Sequence, residues 1–221
     1  MNPAVPNNFE SIARRPWPDP ERLPVRPSRI LVADDEHLVS LQLTLALAEL
    51  GFTTVGPAAN GEEAFKLAQT AQPDIALLDI RMPKVDGIAA SRQIFDELCI
   101  PVIIVSAYSD DASLQGAVEA GVFGYLIKPA SREQVRVAIE VGWSNFLTFL
   151  HNARRADVAE RKLEERKFIE QAKWILVSQR QMTEPDAMRW LQKSARDTRR
   201  PLLEIAQHVL REHAPPNPAG T

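Results

Sequence analysis

Five polar or charged side chains follow four apolar segments that have the length and composition of β-strands. Asp34 and Asp35 come after the first segment, Asp79 after the third, Ser106 after the fourth and Lys128 after the fifth. Ligand-binding residues of open α/β sheets lie at the carboxyl ends of the strands. If these segments form one parallel sheet, all five side chains meet at the same edge of it.

Three carboxylates, one hydroxyl and one lysine at a single edge suit a particular chemistry. Clustered acids repel one another and need a counter-charge, and an oxygen-rich site of this kind suits Mg²⁺. A bound magnesium ion neutralises and aligns an incoming phosphoryl group, and a neighbouring aspartate is suited to attack that group as a nucleophile. The hydroxyl and the lysine would hold the phosphoryl oxygens. The residue types therefore indicate phosphoryl transfer to an aspartate.

Apolar segments alternate with helical patterns from Arg29 to residue 142, which predicts a parallel sheet covered by helices on both faces. The strand candidates are residues 30–33, 52–55, 75–78, 102–105 and 123–127. The helix candidates are residues 36–49, 62–70, 87–98 and 110–120, followed by a long helix from Ser131. This order predicts an α/β fold with a five-stranded, doubly wound, flavodoxin-like parallel sheet.

Residues 29–142 resemble a CheY-like receiver domain of a two-component response regulator. The resemblance is carried by Asp34-Asp35, the stretch from Asp79 through Met82-Pro83 to Asp86-Gly87, Ser106-Ala107, and Gly124-Tyr125-Leu126-Ile127-Lys128-Pro129. No residue of this signature is missing. The resemblance implies that a sensor histidine kinase phosphorylates the protein and that the protein binds Mg²⁺.

The receiver resemblance also implies how the acids divide the work. Asp79 is the expected phosphoacceptor. Asp35 and Asp79, together with the backbone carbonyl of Arg81, are expected to bind Mg²⁺ directly. Asp34 is expected to act on the ion through water.

The remaining signature residues are expected to carry the switch. Ser106 and Lys128 would hold the phosphoryl oxygens, and Tyr125 would turn inward as Ser106 moves toward the phosphate. The peptide bond between Lys128 and Pro129 is expected to be cis. Because phosphorylation adds charge and acceptor oxygens, it would bias a two-state surface around the fourth helix, the fifth strand and the long helix.

The composition of the 221 residues excludes several classes of protein. Hydrophobic residues make up 45% and charged residues 25% of the chain, as in ordinary globular proteins. No apolar run reaches the roughly 18 residues that a membrane helix needs, and residues 1–27 lack the apolar core of a secretory signal. A single cysteine, Cys99, excludes an internal disulfide and a cysteine-built metal site. We expect a cytoplasmic protein without a membrane partner.

The formal net charge of −3 is unevenly distributed. Residues 1–28 have a net charge of +1, residues 29–142 of −8 and residues 143–221 of +4. An acidic middle followed by a basic end indicates two modules with different partners. Seven prolines within residues 1–28 predict a flexible arm, and residues 213–221 are expected to form a flexible tail.

The helix from Ser131 continues past the receiver with the 4-3-4-3 apolar spacing of a coiled-coil seam. The seam residues are Ile139, Trp143, Phe146, Leu150 and Ala153. Acids replace apolar residues beyond this point, so the pairing is expected to weaken there. We predict a coiled-coil linker helix over residues 143–160, and packing of this helix onto its own receiver is the alternative.

Residues 161–212 predict a three-helix bundle that resembles an ANTAR domain, the RNA-binding output module of transcription antitermination. One apolar stripe spans residues 168–176, Thr183 begins a second helix as its N-cap, and a third helix follows Pro201. The resemblance is carried by an ordered series of motifs: Ala172-Lys173, Thr183-Glu184-x-x-Ala187, Leu191-x-x-x-Ala195 and Ile205-Ala206.

The ANTAR resemblance implies binding to RNA hairpins, typically tandem stem-loops, by a homodimer that forms on phosphorylation. Sequence-specific RNA recognition targets loop bases and stem phosphates, which cations and one tryptophan of this module could contact. These residues are Lys167, Lys173, Arg180, Arg189, Trp190, Lys193, Arg196, Arg199 and Arg200. Packing in the core is the alternative for Trp190, and a solvated surface is the alternative for each cation.

Two other functions remain open at this point. The first is a DNA-binding response regulator, although no compact helix-turn-helix or winged hairpin is recognisable after residue 130. The second is an adaptor in which a receiver and a coiled coil bind only proteins. An output enzyme is not expected, because the end of the chain has no histidine–carboxylate constellation and no glycine-rich loop. No organic cofactor is expected either.

Overall fold

The structure is a computed structural model that describes residues 17–107 and 121–213. The described residues form two compact units, one ending at Ala153 and the other beginning at Arg154. The elements are β1 (Arg29–Ala33), α1 (His37–Glu49), β2 (Thr53–Ala58), α2 (Gly61–Ala71), β3 (Ile75–Asp79), α3 (Gly87–Leu98), β4 (Val102–Ser106), β5 (Val122–Ile127), α4 (Arg132–Arg180), α5 (Glu184–Thr198) and α6 (Leu202–Glu212). The helix predicted over residues 110–120 lies outside the described residues.

The five strands form one parallel sheet in the order β2-β1-β3-β4-β5. Strands β3 and β4 are buried along their whole length, and β1 is buried after its first residue. One apolar core lies between the sheet and the helices α2 and α3, and a second core lies on the opposite face against α1 and the start of α4. This arrangement confirms the predicted doubly wound α/β fold.

Strand β2 extends further than its sequence indicated. The strand candidate in the sequence covers residues 52–55. In the structure β2 continues to Ala58, which pairs with Ala33 after a shift in register. Since β2 is an edge strand, a proline without an N–H group is tolerated there.

Local capping defines where several helices begin. The Asn60 side chain accepts a hydrogen bond from the Glu63 backbone N–H at 3.1 Å, and the Glu63 carboxylate accepts one from Ala59 at 3.0 Å. At the start of α4, the Ser131 hydroxyl accepts a hydrogen bond from the Gln134 N–H at 3.3 Å, and the Gln134 side-chain oxygen accepts one from the Ser131 N–H at 2.8 Å. These side chains satisfy backbone donors that a helix start leaves without a partner.

The linker and the first helix of the C-terminal bundle are one continuous helix. The apolar stripe over residues 168–176 belongs to α4, which runs without a break from Arg132 to Arg180. Its last turns pack with α5 and α6 around Ala172, Leu176 and Leu191. Thr183 caps α5 as predicted, since its hydroxyl accepts a hydrogen bond from the Asp186 N–H at 3.3 Å.

The predicted coiled-coil seam is buried within the chain over much of its length. Ile139, Trp143, Phe146 and Leu150 are at most 4% exposed. Ile139 belongs to a core beneath the sheet, and the other three pack with Phe95 of α3. This part of the seam is not free to pair with a second copy. The alternative interpretation, packing onto the receiver, is what the structure shows.

Residues 17–28 of the predicted flexible arm pack against the first unit. Pro20 and Pro27 are buried, and Trp17 and Leu23 are half-buried. A single 3₁₀ turn over Pro20–Arg22 is capped by Asp19. The prolines remove backbone donors, but their rings still bury apolar surface.

Among the helices of residues 17–107 and 121–213, none is both long enough and apolar enough to cross a membrane.

Candidate functional site

The carboxyl ends of β1 and β3 bring three acids together. One carboxylate oxygen from each of Asp34, Asp35 and Asp79 lies within 4.8 Å of those of the other two. Asp34 and Asp79 are buried, whereas Asp35 is exposed. These are the three acids that the sequence pattern placed at one edge of the sheet.

Lys128 supplies the counter-charge for this cluster. Its Nζ atom lies 2.7 Å from Asp34 Oδ2 and 2.7 Å from Asp79 Oδ1. A third acid, Glu36, lies 3.5 Å from the same ammonium group but is largely exposed. The peptide bond from Lys128 to Pro129 is cis, as the receiver resemblance implied.

Burial and electrostatic attraction shift the pKa values of Asp79 and Lys128 in opposite directions. Burial raises the pKa of the Asp79 carboxyl above its ordinary value, and hydrogen bonding and attraction to Lys128 offset part of that rise. Burial also works against the charged form of Lys128, but its hydrogen bonds to Asp34 and Asp79 outweigh this effect and raise the pKa of the lysine. Lys128 therefore stays protonated and favours the ionised form of Asp79, the form that a nucleophilic carboxylate requires.

The donor set fits a divalent cation. Three carboxylates offer oxygen ligands within a few ångströms of one another, which is the ligand chemistry that Mg²⁺ prefers. One lysine neutralises only part of the three negative charges, so a divalent ion fits the charge that remains. Arg81, the expected carbonyl ligand, lies two residues after Asp79, and its backbone N–H donates to Asp79 Oδ2 at 2.8 Å.

A missing side chain at Gly87 allows the loop after β3 to close. An added Cβ would lie 1.9 Å from the carbonyl oxygen of Asp79, and the Gly87 N–H donates to the Ile80 carbonyl at 2.9 Å. The preceding Asp86 caps α3 by accepting from the Ala89 N–H at 2.8 Å. The Asp-Gly pair of the motif thus brings the start of α3 directly against the end of β3.

We expect Gly87→Ala to damage both the fold and the site. Its Cβ overlaps backbone that cannot move without moving Asp79, so unfolding free energy should fall by about 3 kcal/mol or more, measured by urea denaturation. Labelling by acetyl phosphate should also slow. Gly51→Ala is the control, because an added Cβ meets nothing within 4 Å there and only a positive φ is strained. Unchanged labelling in Gly87→Ala would contradict this account.

Ser106 follows Val105, the residue that pairs with Asp79 across β3 and β4, and Tyr125 lies on the neighbouring strand β5. Ser106 is fully buried at the end of β4, and its hydroxyl donates to the Ala107 carbonyl at 3.2 Å. The Ser106 carbonyl accepts from the Lys128 N–H at 2.9 Å, which ties the two residues together. Tyr125 is half-buried on β5 against the core beneath α2 and α3.

The structure separates the nine residues predicted to contact RNA into two groups. Lys167, Lys193, Arg196, Arg199 and Arg200 are exposed. The other four make contacts within the second unit. The Lys173 ammonium is largely buried and lies 2.7 Å from Glu184 and 2.9 Å from Glu170, and these two hydrogen bonds raise its pKa.

Arg180, Trp190 and Arg189 are the remaining three. The Arg180 guanidinium carbon stands 4.7 Å from the centre of the Trp190 ring, and this half-buried ring packs against the bundle core. Arg189 pairs with Asp186 at 2.7 Å but stays largely exposed. Trp190 therefore packs against the bundle core, and its ring also makes a cation–π contact with Arg180.

Two partners were missed by the reasoning from sequence. Glu36 directly follows the acid pair, so its place beside Lys128 had a weak signal in the run Asp34-Asp35-Glu36. Glu184 had no signal in the sequence, because Glu184 and Lys173 lie on two different helices, 11 residues apart in the chain. Only the packing of α5 on the end of α4 brings these two side chains together.

The fold and the site together define a receiver domain, and comparison with known proteins agrees. The response regulator receiver domain family matches residues 30–140, and the ANTAR domain family matches residues 157–210. The transcriptional regulatory protein PdtaR of Mycobacterium tuberculosis is 36% identical over 184 residues, which cover 83% of this chain and 90% of PdtaR. The regulatory protein AtoC of Escherichia coli is 38% identical over 114 residues, covering 51% of this chain and 24% of AtoC.

Two solved structures resemble the first unit. The receiver domain of a modulated diguanylate cyclase from Desulfovibrio desulfuricans G20 has a TM-score of 0.51 and 30% identity, covering 55% of this chain and 96% of that one. A putative response regulator from Chloroflexus aurantiacus has a TM-score of 0.50 and 25% identity, covering 54% and 99%. The chain belongs to the response regulators that join a receiver domain to an ANTAR output domain.

Proposed function

We propose that this response regulator is phosphorylated on Asp79 and, in that state, binds RNA hairpins as a dimer to control transcription antitermination in the cytoplasm. The observation that carries the proposal is the position of Asp79, held at 2.7 Å by Lys128 within a carboxylate cluster. That arrangement stands in a chain whose other domain is an ANTAR domain.

The phosphoryl donor in this proposal is a phosphohistidine of a sensor kinase. A carboxylate oxygen of Asp79 attacks the phosphorus, an O–P bond forms, and the P–N bond breaks with its electron pair returning to the histidine nitrogen. Asp34, Asp35, Asp79 and the Arg81 carbonyl would hold Mg²⁺, which supplies charge neutralisation for the transferred group. Lys128 holds a phosphoryl oxygen, because its ammonium already reaches Asp79.

Ser106 and Tyr125 are the proposed switch. The Ser106 hydroxyl donates to the neighbouring Ala107 carbonyl at 3.2 Å, a bond that it can exchange for a phosphoryl oxygen. Movement of Ser106 toward the phosphate would leave room beside β5 for the half-buried Tyr125 ring. The charge added by phosphorylation would thus change the packing of side chains along β5 and at the start of α4.

The outward face of α5 is the proposed RNA-binding surface. Arg189, Lys193 and Arg196 follow each other at i, i+4 and i+7, opposite the buried residues Ala187 and Leu191. Positions with this spacing lie on one side of a helix. Arg200 follows at the next four-residue step, just after the helix ends. We call Arg189, Lys193, Arg196 and Arg200 the cationic stripe.

The stripe is suited to RNA phosphates, whereas Lys173 is not. Among residues 17–107 and 121–213, no acid forms an ion pair with Lys193, Arg196 or Arg200, and Arg189 is paired only with the half-buried Asp186. Lys173 would have to leave Glu170 and Glu184 and lose its place between two helices. The half-buried Trp190 ring, next to Arg189 on α5, would stack on a loop base.

Dimerisation is retained in the proposal, but on a different surface from residues 139–150. The seam side chains Ile139, Trp143, Phe146 and Leu150 of that segment are buried within the chain. Beyond Arg154, α4 carries the exposed side chains Leu163 and Trp174, which are 55% and 66% exposed. These residues lie three helical turns apart on the same side of α4 and are available to a second copy.

The experiment that tests the proposal is RNA binding with and without beryllofluoride, a mimic of the phosphoryl group. A paired-hairpin RNA is titrated across a salt series beside a DNA duplex of matched sequence, and light scattering gives the mass of each sample. We expect RNA-selective binding by a dimer, strengthened by beryllofluoride on the order of tenfold, a typical allosteric coupling. Preference for the duplex would indicate a DNA-binding regulator. Binding to neither nucleic acid would indicate a protein-binding adaptor.

A further inference from the structure

The N-terminal arm carries an aromatic residue that reaches the long helix. The Trp17 ring lies 5.1 Å from the Phe149 ring of α4, in an edge-to-face arrangement, and 5.8 Å from the Phe95 ring of α3. Phe123, at the start of β5, stands 5.3 Å from both Phe95 and Phe146. We call Trp17, Phe95, Phe123, Phe146 and Phe149 the aromatic cluster.

The aromatic cluster joins four segments of the first unit. The arm, the end of α3, the start of β5 and the middle of α4 each contribute at least one ring. On α4, Trp143 and Leu150 flank it and are buried. The Asn145 side chain adds a polar tie, since its Nδ2 donates to the Phe123 carbonyl at 3.0 Å.

The arm is also fixed at its other end. One oxygen of the Asp74 carboxylate accepts hydrogen bonds from the backbone N–H groups of Ser28 and Arg29, at 2.7 and 2.9 Å, and from the Ser28 hydroxyl at 3.1 Å. Between the two ends, Pro20 and Pro27 are buried. A segment held at both ends, with proline rings that reduce its conformational freedom, loses little entropy when it lies against the domain.

We propose that residues 17–28 form a strap that fastens the long helix α4 to the receiver, with Trp17 as its anchor on the helix. Without Trp17, the rings of Phe95 and Phe149 would lose an aromatic partner and become more exposed to water. The strap also bears on the strand that carries the switch. Phe123 precedes Tyr125 by two residues on β5, next to a shift in the pairing of β5 with β4.

The strap gives the arm a role in output. Packing of the aromatic cluster determines how firmly α4 is held where it leaves the sheet. A change at Tyr125 therefore acts on a helix that the arm restrains from outside the sheet. This inference does not depend on RNA binding, because its consequence is measured within the first unit.

Hydrogen–deuterium exchange on the full chain tests the strap. In Trp17→Ala, amides of residues 143–153 should exchange on the order of tenfold faster, since two aromatic contacts are lost. Amides of β4 serve as the internal reference and should stay protected. Val25→Ala is the matched control, because Val25 lies in the same segment as Trp17 but is 91% exposed. That substitution should leave exchange of residues 143–153 unchanged.

A second variant keeps the test decisive if the alanine variant is poorly folded. Trp17→Leu retains apolar volume and loses only ring geometry, so it should raise exchange of residues 143–153 by a smaller factor. Exchange within twofold of the wild type in both variants would overturn the proposal. An equal rise in β4 and in residues 143–153 would also overturn it, because Trp17 would then support the whole receiver instead of holding the helix.

Discussion

Asp79→Asn is expected to abolish labelling of the protein by acetyl phosphate. The amide of asparagine is a far poorer nucleophile than a carboxylate, and it removes one of the three acids that face each other within 4.8 Å. The substitution is nearly isosteric, and Lys128 keeps its partner Asp34 at 2.7 Å. The folded structure should therefore survive while phosphorylation is lost.

Glu62→Gln is the control for this experiment. It removes one negative charge from the same domain at an exposed position on α2 and leaves Asp34, Asp35 and Asp79 intact. Labelling of this variant should equal that of the wild type, measured by mass spectrometry of the intact protein under the same conditions. Labelling that persists in Asp79→Asn would show that another residue accepts the phosphoryl group.

Lys193→Gln combined with Arg196→Gln is expected to weaken RNA binding more than any other pair of neutralised cations. Both side chains lie on the exposed middle of the cationic stripe, opposite Leu191 of the core. Each phosphate contact that is lost reduces the number of counterions released when the RNA binds. The slope of log affinity against log salt should become shallower by about 1.5 to 2, and affinity should fall on the order of tenfold or more.

The matched control for the stripe removes the same charge from the receiver. Lys66→Gln combined with Arg92→Gln neutralises two exposed cations on α2 and α3 and leaves the second unit intact. A general effect of net charge would weaken binding equally in both double variants. That result, or an unchanged salt slope in Lys193→Gln/Arg196→Gln, would remove α5 from the RNA-binding surface.

The contrast between Lys173 and the cationic stripe shows the limit of reading charge from sequence. All of these residues are basic and occur within one short segment, so composition alone cannot distinguish them. The distinction comes from Glu170 and Glu184, which surround Lys173 once α5 folds against the end of α4. A cation held by two acids stabilises the bundle, whereas an exposed cation is free to bind phosphate.

The spacing of the seam residues misled in a similar way. A 4-3-4-3 apolar pattern describes one face of a helix that must be covered, and it does not say by what. In this chain the face over residues 139–150 is covered by the sheet, by Phe95 and by Phe123. The receiver and a second helix are both apolar, so the hydrophobic pattern alone could not decide between them.

The sequence alone determined the order of strands and helices and the convergence of Asp34, Asp35, Asp79 and Lys128 at one edge of the sheet. These follow from local rules: apolar periodicity selects strand or helix, and parallel strands all end on the same side.

Only the tertiary structure decided which surface covers α4, where residues 17–28 lie, and which cations of the second unit already have partners. Each of these depends on contacts between segments far apart in the chain, such as Trp17 with Phe149 or Lys173 with Glu184. Hydrophobic and electrostatic attraction are not specific to one partner, so the occupant of an apolar face or the mate of a charge is set by the packing geometry of the whole fold.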